Sequence, residues 1–316
     1  PTNLRAVNPG LDSITIALNG TFNDYEYEIT ANGSPQGNGI VGTTASDSAR
    51  VGGLMASSTY DLYVRQVCGR GDTSPWIGPV TFTTAFGLPY LEEFETFNTD
   101  ITQNPWPQGW SSSTTVNPNW ISLNPSTSTI IRSGGTGPTV DHTLGTTTGT
   151  FVYMETSGGT IGDSADFVSP PVFIDSSAAS FELSYWYFNY GTNVDEMQVI
   201  VRSNGVDSLL ASYVGQQQTT QTEAWRQAKH LLTGFQGQSV QVIFRGFNPP
   251  CCSGDLAIDD VQMEVPPQFD GAITEIIRPN TGCGLDSADT VEVAISNFGL
   301  DTIANFPVSF VLNNGT

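Results

Sequence analysis

The sequence predicts an all-β chain built from sandwiches, and three observations carry that reading. Apolar residues recur in short alternating runs bounded by Gly, Pro, Asp and Asn, as in Phe181-Glu182-Leu183-Ser184-Tyr185-Trp186-Tyr187. Turn formers are abundant, with 33 Gly and 19 Pro in 316 residues. Charged residues make up only 13%, so Thr, Ser, Asn and Gly occupy positions that Lys and Glu usually take. That is the composition of β-rich extracellular domains. The length suits two or three domains.

The charge balance narrows the partners. Ten basic residues, with Lys229 the single lysine, stand against 31 acidic ones, for a net charge of −21. Such a surface repels phosphate, so nucleic acid and anionic membrane are poor partners, whereas cations are favoured. The sequence carries no apolar run of membrane-spanning length and no signal peptide, and Pro1 opens on a strand-like segment. The expectation is an exported chain that has been cut from something longer, or processed.

In chain order, residues 1–85 read as a small sandwich. Ile14, Ile16 and Leu18 alternate on one face, as do Tyr25, Tyr27 and Ile29. Leu54 and Tyr60 stand six apart before the alternating Tyr60-Asp61-Leu62-Tyr63-Val64-Arg65. That spacing is similar to the tyrosine corner of Ig-like sandwiches. Val80-Thr81-Phe82-Thr83-Thr84 closes the unit. The whole resembles a fibronectin type III domain, without the tryptophan common on its second strand. Trp76 is the expected substitute in the core. A short Gly/Pro hinge, residues 85–90, predicts a fixed junction.

Residues 86–265 carry the most specific pattern. Glu92-Glu93-Phe94-Glu95 opens it. Blocks follow at 137–145, with Asp141-His142-Thr143, then at 151–157, 162–170, 181–187, 240–246 and 254–260, the last ending Ile258-Asp259-Asp260. Their order and wording resemble the MAM domain, an extracellular adhesion module with a jelly-roll fold. Residues 223–232 carry two conflicting signals. Trp225, Ala228 and Leu232 fit a helical period, whereas the resemblance implies a strand entered at Trp225.

Pro266-Pro267 marks the next boundary. In residues 266–316 Val291, Val293 and Ile295 alternate, as do Phe306, Val308, Phe310 and Leu312. These resemble the first strands of an Ig-like module of the kind repeated in bacterial surface proteins. About fifty residues is too few for a sandwich of the usual ~100.

Cys68, Cys251, Cys252 and Cys283 form no C-x-x-C pair, which argues against zinc. The adjacent pair admits a vicinal bridge, separate pairings or free thiols. The MAM-like start lacks cysteine, so that family's disulfides do not transfer.

Candidate sites follow from residue chemistry. Enzymatic motifs are absent: there is no H-E-x-x-H, nucleophile elbow or P-loop, and His142 and His230 are the only histidines. His142 reads as an orienting donor at a strand end. In a jelly roll the first and last strands are neighbours, so Glu95 should approach Asp259 and Asp260, with Asp141 beside them. Converging carboxylates suit a structural Ca²⁺. Trp106 and Trp110 are candidates to stack on sugar rings. Arg70-Gly71-Asp72 falls in the loop where integrin-binding fibronectin domains carry the same tripeptide.

Seven hydroxyls follow Asp and precede an apolar residue: Ser13, Ser48, Ser164, Ser208, Ser287, Thr290 and Thr302. They resemble a bacterial O-glycosylation pattern.

The reading is a non-catalytic extracellular fragment of a large bacterial surface adhesin resembling those exported by the type IX system. Its expected partners are a glycan or a surface protein, and other domains of the same chain. The alternative is an accessory carbohydrate-binding region of a secreted hydrolase or metallopeptidase.

Overall fold

A computed structural model describes residues 1–20, 24–69, 71–99, 106–113, 119–126, 135–156, 160–248, 253–279, 290–297, 299–305 and 307–309. The fold is all-β. Among these residues the only helical element is a 3₁₀ turn at Pro107–Gly109. Two compact units result, Pro1–Glu264 and Val265–Thr316.

The first unit begins with a sandwich of β1 (Thr2–Val7), β2 (Ser13–Asn19), β3 (Tyr25–Ala31), β4 (Ile40–Thr44), β5 (Ser48–Gly52), β6 (Thr59–Gly69), β7 (Asp72–Thr73) and β8 (Ile77–Thr83). One sheet runs β1-β2-β5. The other runs β4-β3-β6, with β7 and β8 both on β6. The alternation in β2 puts Ile14, Ile16 and Leu18 inside, against Tyr25, Ile29, Leu62, Val64 and Phe82. The Tyr60 hydroxyl accepts the Met55 N–H at 2.9 Å, while Leu54 is buried. Trp76 departs from expectation. It stands outside this core, half-buried, with the Arg65 guanidinium 4.7 Å from its ring centroid. Tyr25, wholly buried, supplies the aromatic bulk instead.

The same unit continues as a jelly roll. Its strands are β9 (Tyr90–Glu92), β10 (Ser111–Ser112), β11 (Asn119–Leu123), β12 (Phe151–Glu155), β13 (Ser164–Val168), β14 (Val172–Phe173), β15 (Ser180–Tyr190), β16 (Glu196–Ser203), β17 (Val206–Val214), β18 (Arg226–Thr233), β19 (Ser239–Phe247) and β20 (Asp255–Glu264). One sheet has the order β10-β13-β19-β16-β17, with β14 on β19. The facing sheet has β11-β12-β20-β15-β18, with β9 on β20. First and last strands are therefore neighbours, with Glu92 opposite Val261.

β15 is apolar on both faces. Phe181, Leu183, Tyr185 and Tyr187 point between the sheets, while Trp186, Phe188 and Tyr190 point outward. The outward set packs with Ile121, Leu123, Phe151, Tyr153, Trp225 and Ala257 as a second, smaller core. β18 settles the conflict over residues 223–232. It pairs antiparallel with β15, Tyr187 opposite Arg226, so the helical spacing there is coincidental. The β16–β17 hairpin turns on Asn204 and Gly205, at φ 51° and 76°, as a two-residue turn of the primed type requires.

The hinge is a fixed junction. The Ala85 N–H donates to Gly10, the Phe86 N–H to Pro171, and the Phe173 N–H to Phe86. Phe86 thereby forms a parallel bridge to Val172.

The second unit holds β21 (Gly271–Arg278) and β22 (Glu292–Asn297), paired antiparallel. β21 is exposed along its whole length.

Candidate functional site

The acidic residues converge because of a local irregularity. Successive residues of a regular strand face opposite sides of the sheet. Between Ser184 and Trp186 the register of β15 against β20 shifts, and Asp260 takes the left-handed φ of 46°. This bulge lets the consecutive Asp259 and Asp260 both face the segment 141–150. Asp259, wholly buried, accepts the His142 N–H at 2.8 Å and the Asp260 N–H at 2.9 Å. Asp260 accepts the Thr143 hydroxyl at 2.6 Å and bonds His142 Nδ1.

Asp141 accepts the N–H groups of Leu144 and Thr146 at 2.6 and 2.9 Å. Gly149 lies against its carboxyl, with no room for a side chain. Glu95 accepts the Thr150 N–H at 3.1 Å. Burial raises the Glu95 carboxyl above its ordinary range, and the nearby charges of Asp141 and Asp260 add to that. Asp259 is raised further by burial, then by Asp260 and Asp141.

Aromatic rings complete the corner. The His142 ring stacks on Trp186 at 3.7 Å between centroids. Trp225 meets Phe151 and Phe188 edge-on and donates its indole N–H to the Val140 carbonyl at 3.0 Å. Gln221 Nε2 donates to Thr136 at 2.8 Å. Residues 135–150 are thus tied down as a roof over the outer face of β12, β20 and β15.

Glu95, Asp141, Asp259 and Asp260 lie near one another in this corner. Their carboxylate oxygens are engaged by five backbone N–H groups, a threonine hydroxyl and a histidine. Among the described residues no three His, Cys, Asp or Glu side chains are grouped to hold a metal.

Among the described residues neither histidine bonds a Ser, Thr or Cys side chain. His142 Nδ1 faces Asp260, and His230 Nε2 faces the Tyr185 phenol at 3.1 Å. The phenol is raised by burial above its ordinary value.

Trp106 and Trp110 correct a second expectation. They are 5% and 2% exposed, packed against Phe167 at 4.8 and 4.5 Å between centroids. Neither offers an open ring face. Gly71 and Asp72 are exposed where β6 turns into β7, and Arg70 lies outside the described residues.

Ser13 corrects a third expectation: it is 3% exposed and accepts the Arg50 guanidinium at 2.6 Å, so no transferase reaches it in the fold. Ser48, Ser164, Ser208, Thr290 and Thr302 are exposed, and Ser287 lies outside the described residues. Cys68 is a free, exposed thiol. Cys251, Cys252 and Cys283 lie outside the described residues.

One buried acid pair escaped the sequence reading. Asp255 stands directly opposite Glu155, under the roof, and bonds the Thr136 hydroxyl. Burial, then the charge of Glu155, pushes Asp255 up to about 7. Cross-strand register joins these residues, and no sequence spacing shows it. For Asp259 and Asp260 a signal did exist: two consecutive carboxylates in the otherwise apolar run Leu256 to Val261.

A family model described as MAM domain, meprin/A5/mu matches residues 96–267. The human MAM domain-containing glycosylphosphatidylinositol anchor protein 1 is 29% identical over 224 residues, 70% of this chain and 22% of its own length. Its rat counterpart is 32% identical over 214 residues, 67% of this chain and 21% of its own. Rat Neuropilin-1 is 29% identical over 161 residues, 49% of this chain and 16% of its own. The chain spans about a fifth of the length of these curated relatives.

Among solved structures, the K1 cleaved adhesin domain of Lys-gingipain from Porphyromonas gingivalis W83 aligns at a TM-score of 0.37 and 15% identity. The alignment covers 57% of this chain and 99% of that one. At that TM-score the likeness bears on neither ligand nor partner. Among the described residues no helix is long and apolar enough to cross a membrane.

Proposed function

We propose, from the premise that this chain belongs to the MAM domain family, that it is a non-catalytic, extracellular binding segment of a longer cell-surface protein. The observation that carries the proposal is the coincidence of the match over residues 96–267 with the jelly roll. Its partner would be a surface protein or a glycan. The junction at Phe86 supports joint display of the two sandwiches, because it joins them by backbone hydrogen bonds.

The finer parts belong to the same proposal. The first sandwich is a fibronectin type III domain, a reading supported by the Tyr60–Met55 bond and the sheet orders. β21 and β22 begin an Ig-like module. The whole protein is a bacterial surface adhesin. Ser48, Ser164, Ser208, Thr290 and Thr302 are the hydroxyls left open to O-glycans, and intact-mass spectrometry of protein from its own host tests them. Calcium in the acidic corner would use the carboxylate lone pairs that N–H donors such as those of Leu144 and Thr146 leave free. A melting temperature raised by millimolar calcium and lowered by EDTA is the measurement for that.

Adhesion is tested by immobilising the purified chain and counting retained cells under flow. Folded chain should retain cells and heat-unfolded chain should not. Equal retention by the two sinks the reading.

A further inference from the structure

The two sandwiches of Pro1–Glu264 meet along a cleft of about 700 Å³, within the ordinary range of ligand sites. β6 and β8 form one wall, with Thr59, Thr81 and Thr83. The other is the 3₁₀ turn and β10, with Gln108 and Ser111. Trp106 and Trp110 lie between them. Sequence reasoning placed sugar recognition on these tryptophans as open platforms. The fold instead sinks them into the floor of a cleft.

Three features of this cleft point to one ligand chemistry. Its lining holds no Asp, Glu, Lys, Arg or His among the described residues, in a chain of net charge −21. An ionic ligand would leave water without meeting a counter-charge, and an anion would also meet the repulsion of the whole surface.

Next, the polar lining is hydroxyls and amides held from behind. The buried Asp61 accepts the Thr81 hydroxyl at 2.7 Å and the Asn32 amide at 3.1 Å. That uses the Thr81 hydroxyl proton and one of the two Asn32 amide protons, which leaves oxygen lone pairs of both side chains and one Asn32 N–H. Thr59 and Thr83 share a hydrogen bond at 3.1 Å.

Third, two indoles close the floor, Trp106 at 5% and Trp110 at 2% exposure.

The walls are also held at a fixed spacing. Gly109, at φ +81°, sits so close to Thr83 that a Cβ would approach its side chain to 3.1 Å. The Phe86 bridge fixes the sandwiches a short way along the chain. A cleft formed this way lowers the ordering cost of binding.

We propose that this cleft binds a neutral oligosaccharide. A polyol offers alternating donors and acceptors to the threonines, Asn32 and Gln108. The proposal deepens the binding reading above and rests on it for biological use, but the binding itself is measured directly.

The test uses the full chain on an array of neutral hexaoses beside sialylated and sulfated glycans, followed by titration calorimetry with the best neutral hit. Two variants accompany it. Ser111→Trp fills the mouth at an exposed position. Gln108→Gly removes one amide where φ is already 53°. Neutral glycans should bind, Ser111→Trp should weaken binding at least tenfold, and Gln108→Gly should weaken it several-fold, each at an unchanged melting temperature. A blank array, a preference for charged glycans, or neutral binding indifferent to both variants overturns the proposal. A blank array beside normal cell retention sinks the cleft alone. Glycan binding without cell retention sinks only the adhesive reading.

Discussion

The two outer faces of the jelly roll meet water in opposite ways. The face of β12, β20 and β15 is roofed by residues 135–150 and carries its own apolar cluster. The face of β13, β19 and β16 is open and carries ion pairs, Arg245 with Asp166 and Arg202 with Asp207. The same residue type behaves differently on each. Under the roof, burial raises Asp259 and Asp255. On the open face, hydrogen bonding to Arg202 lowers Asp207. Under the roof, withdrawal from water raises these two acids, while on the open face a bonded guanidinium lowers one.

The largest way to break this contrast is to remove the roof's anchor. Trp225→Ala deletes a buried ring held by Phe151 and Phe188 and the bond to Val140. Loss of a buried Trp side chain costs about 3–5 kcal/mol. Denaturant melts should show that, and a loss under about 1 kcal/mol would mean the roof does not pack on the sheet.

Next is Asp259→Ala, which strands the N–H groups of His142 and Asp260. Unpaired buried donors cost ~1–3 kcal/mol each, so a net loss of about 3 kcal/mol is expected by chemical denaturation. Wild-type stability in this variant would show that water reaches the corner.

The third prediction is a pH dependence. Asp255 is raised to about 7 from an unfolded value near 3.9, mainly by burial and then by Glu155. The folded state therefore holds a proton that the unfolded chain has released between those values. The stability this group contributes is fully present below about pH 4 and is lost as pH rises through about 7. Glu92, raised to about 7 by burial, acts in the same direction. Melting should fall from pH 5 to pH 8, with about 2 kcal/mol arising from the Asp255–Glu155 pair, or ~4–8 °C. Asp255→Asn should flatten the profile, and an unchanged slope would sink the assignment.

The roofed and open faces also differ in how far the sequence discloses them. The strands of both were legible, because alternation and turn residues are local signals. β15 and β20 stood out as apolar runs, and the approach of β9 to β20 followed from jelly-roll topology. The bulge at Asp260 was not legible, since it depends on the register of β15 against β20. The burial of Trp106 and Trp110 depends on Phe167, more than fifty residues away. Ser13 looked like an exposed turn hydroxyl, and Arg50 on the neighbouring β5 gives it a buried role. Trp76 looked like core because it is large and apolar. Arg65 gives it a half-exposed place where its face still has a partner. Each miss is a tertiary partner that one-dimensional spacing does not contain.

The smallest expected effect lies on the open face, and it tests the contrast from the other side. Arg245 binds Asp166 through two parallel contacts, Nε at 2.6 Å and Nη2 at 2.9 Å, across directly opposed strand positions. Two-point geometry favours such a pair. Yet both groups remain partly exposed, at 31% and 17% of their side-chain surface. Water already solvates them, so breaking the pair forfeits little, about 0.5–1 kcal/mol. Arg245→Ala should therefore lower stability by that much at low salt. The difference from wild type should shrink in 1 M NaCl, where the screening length is roughly 3 Å. Asp259→Ala, whose cost comes from unpaired buried N–H groups, should show no such recovery. If the two variants respond alike to salt, the faces do not differ in solvation, and the account of why their acids titrate differently fails with them.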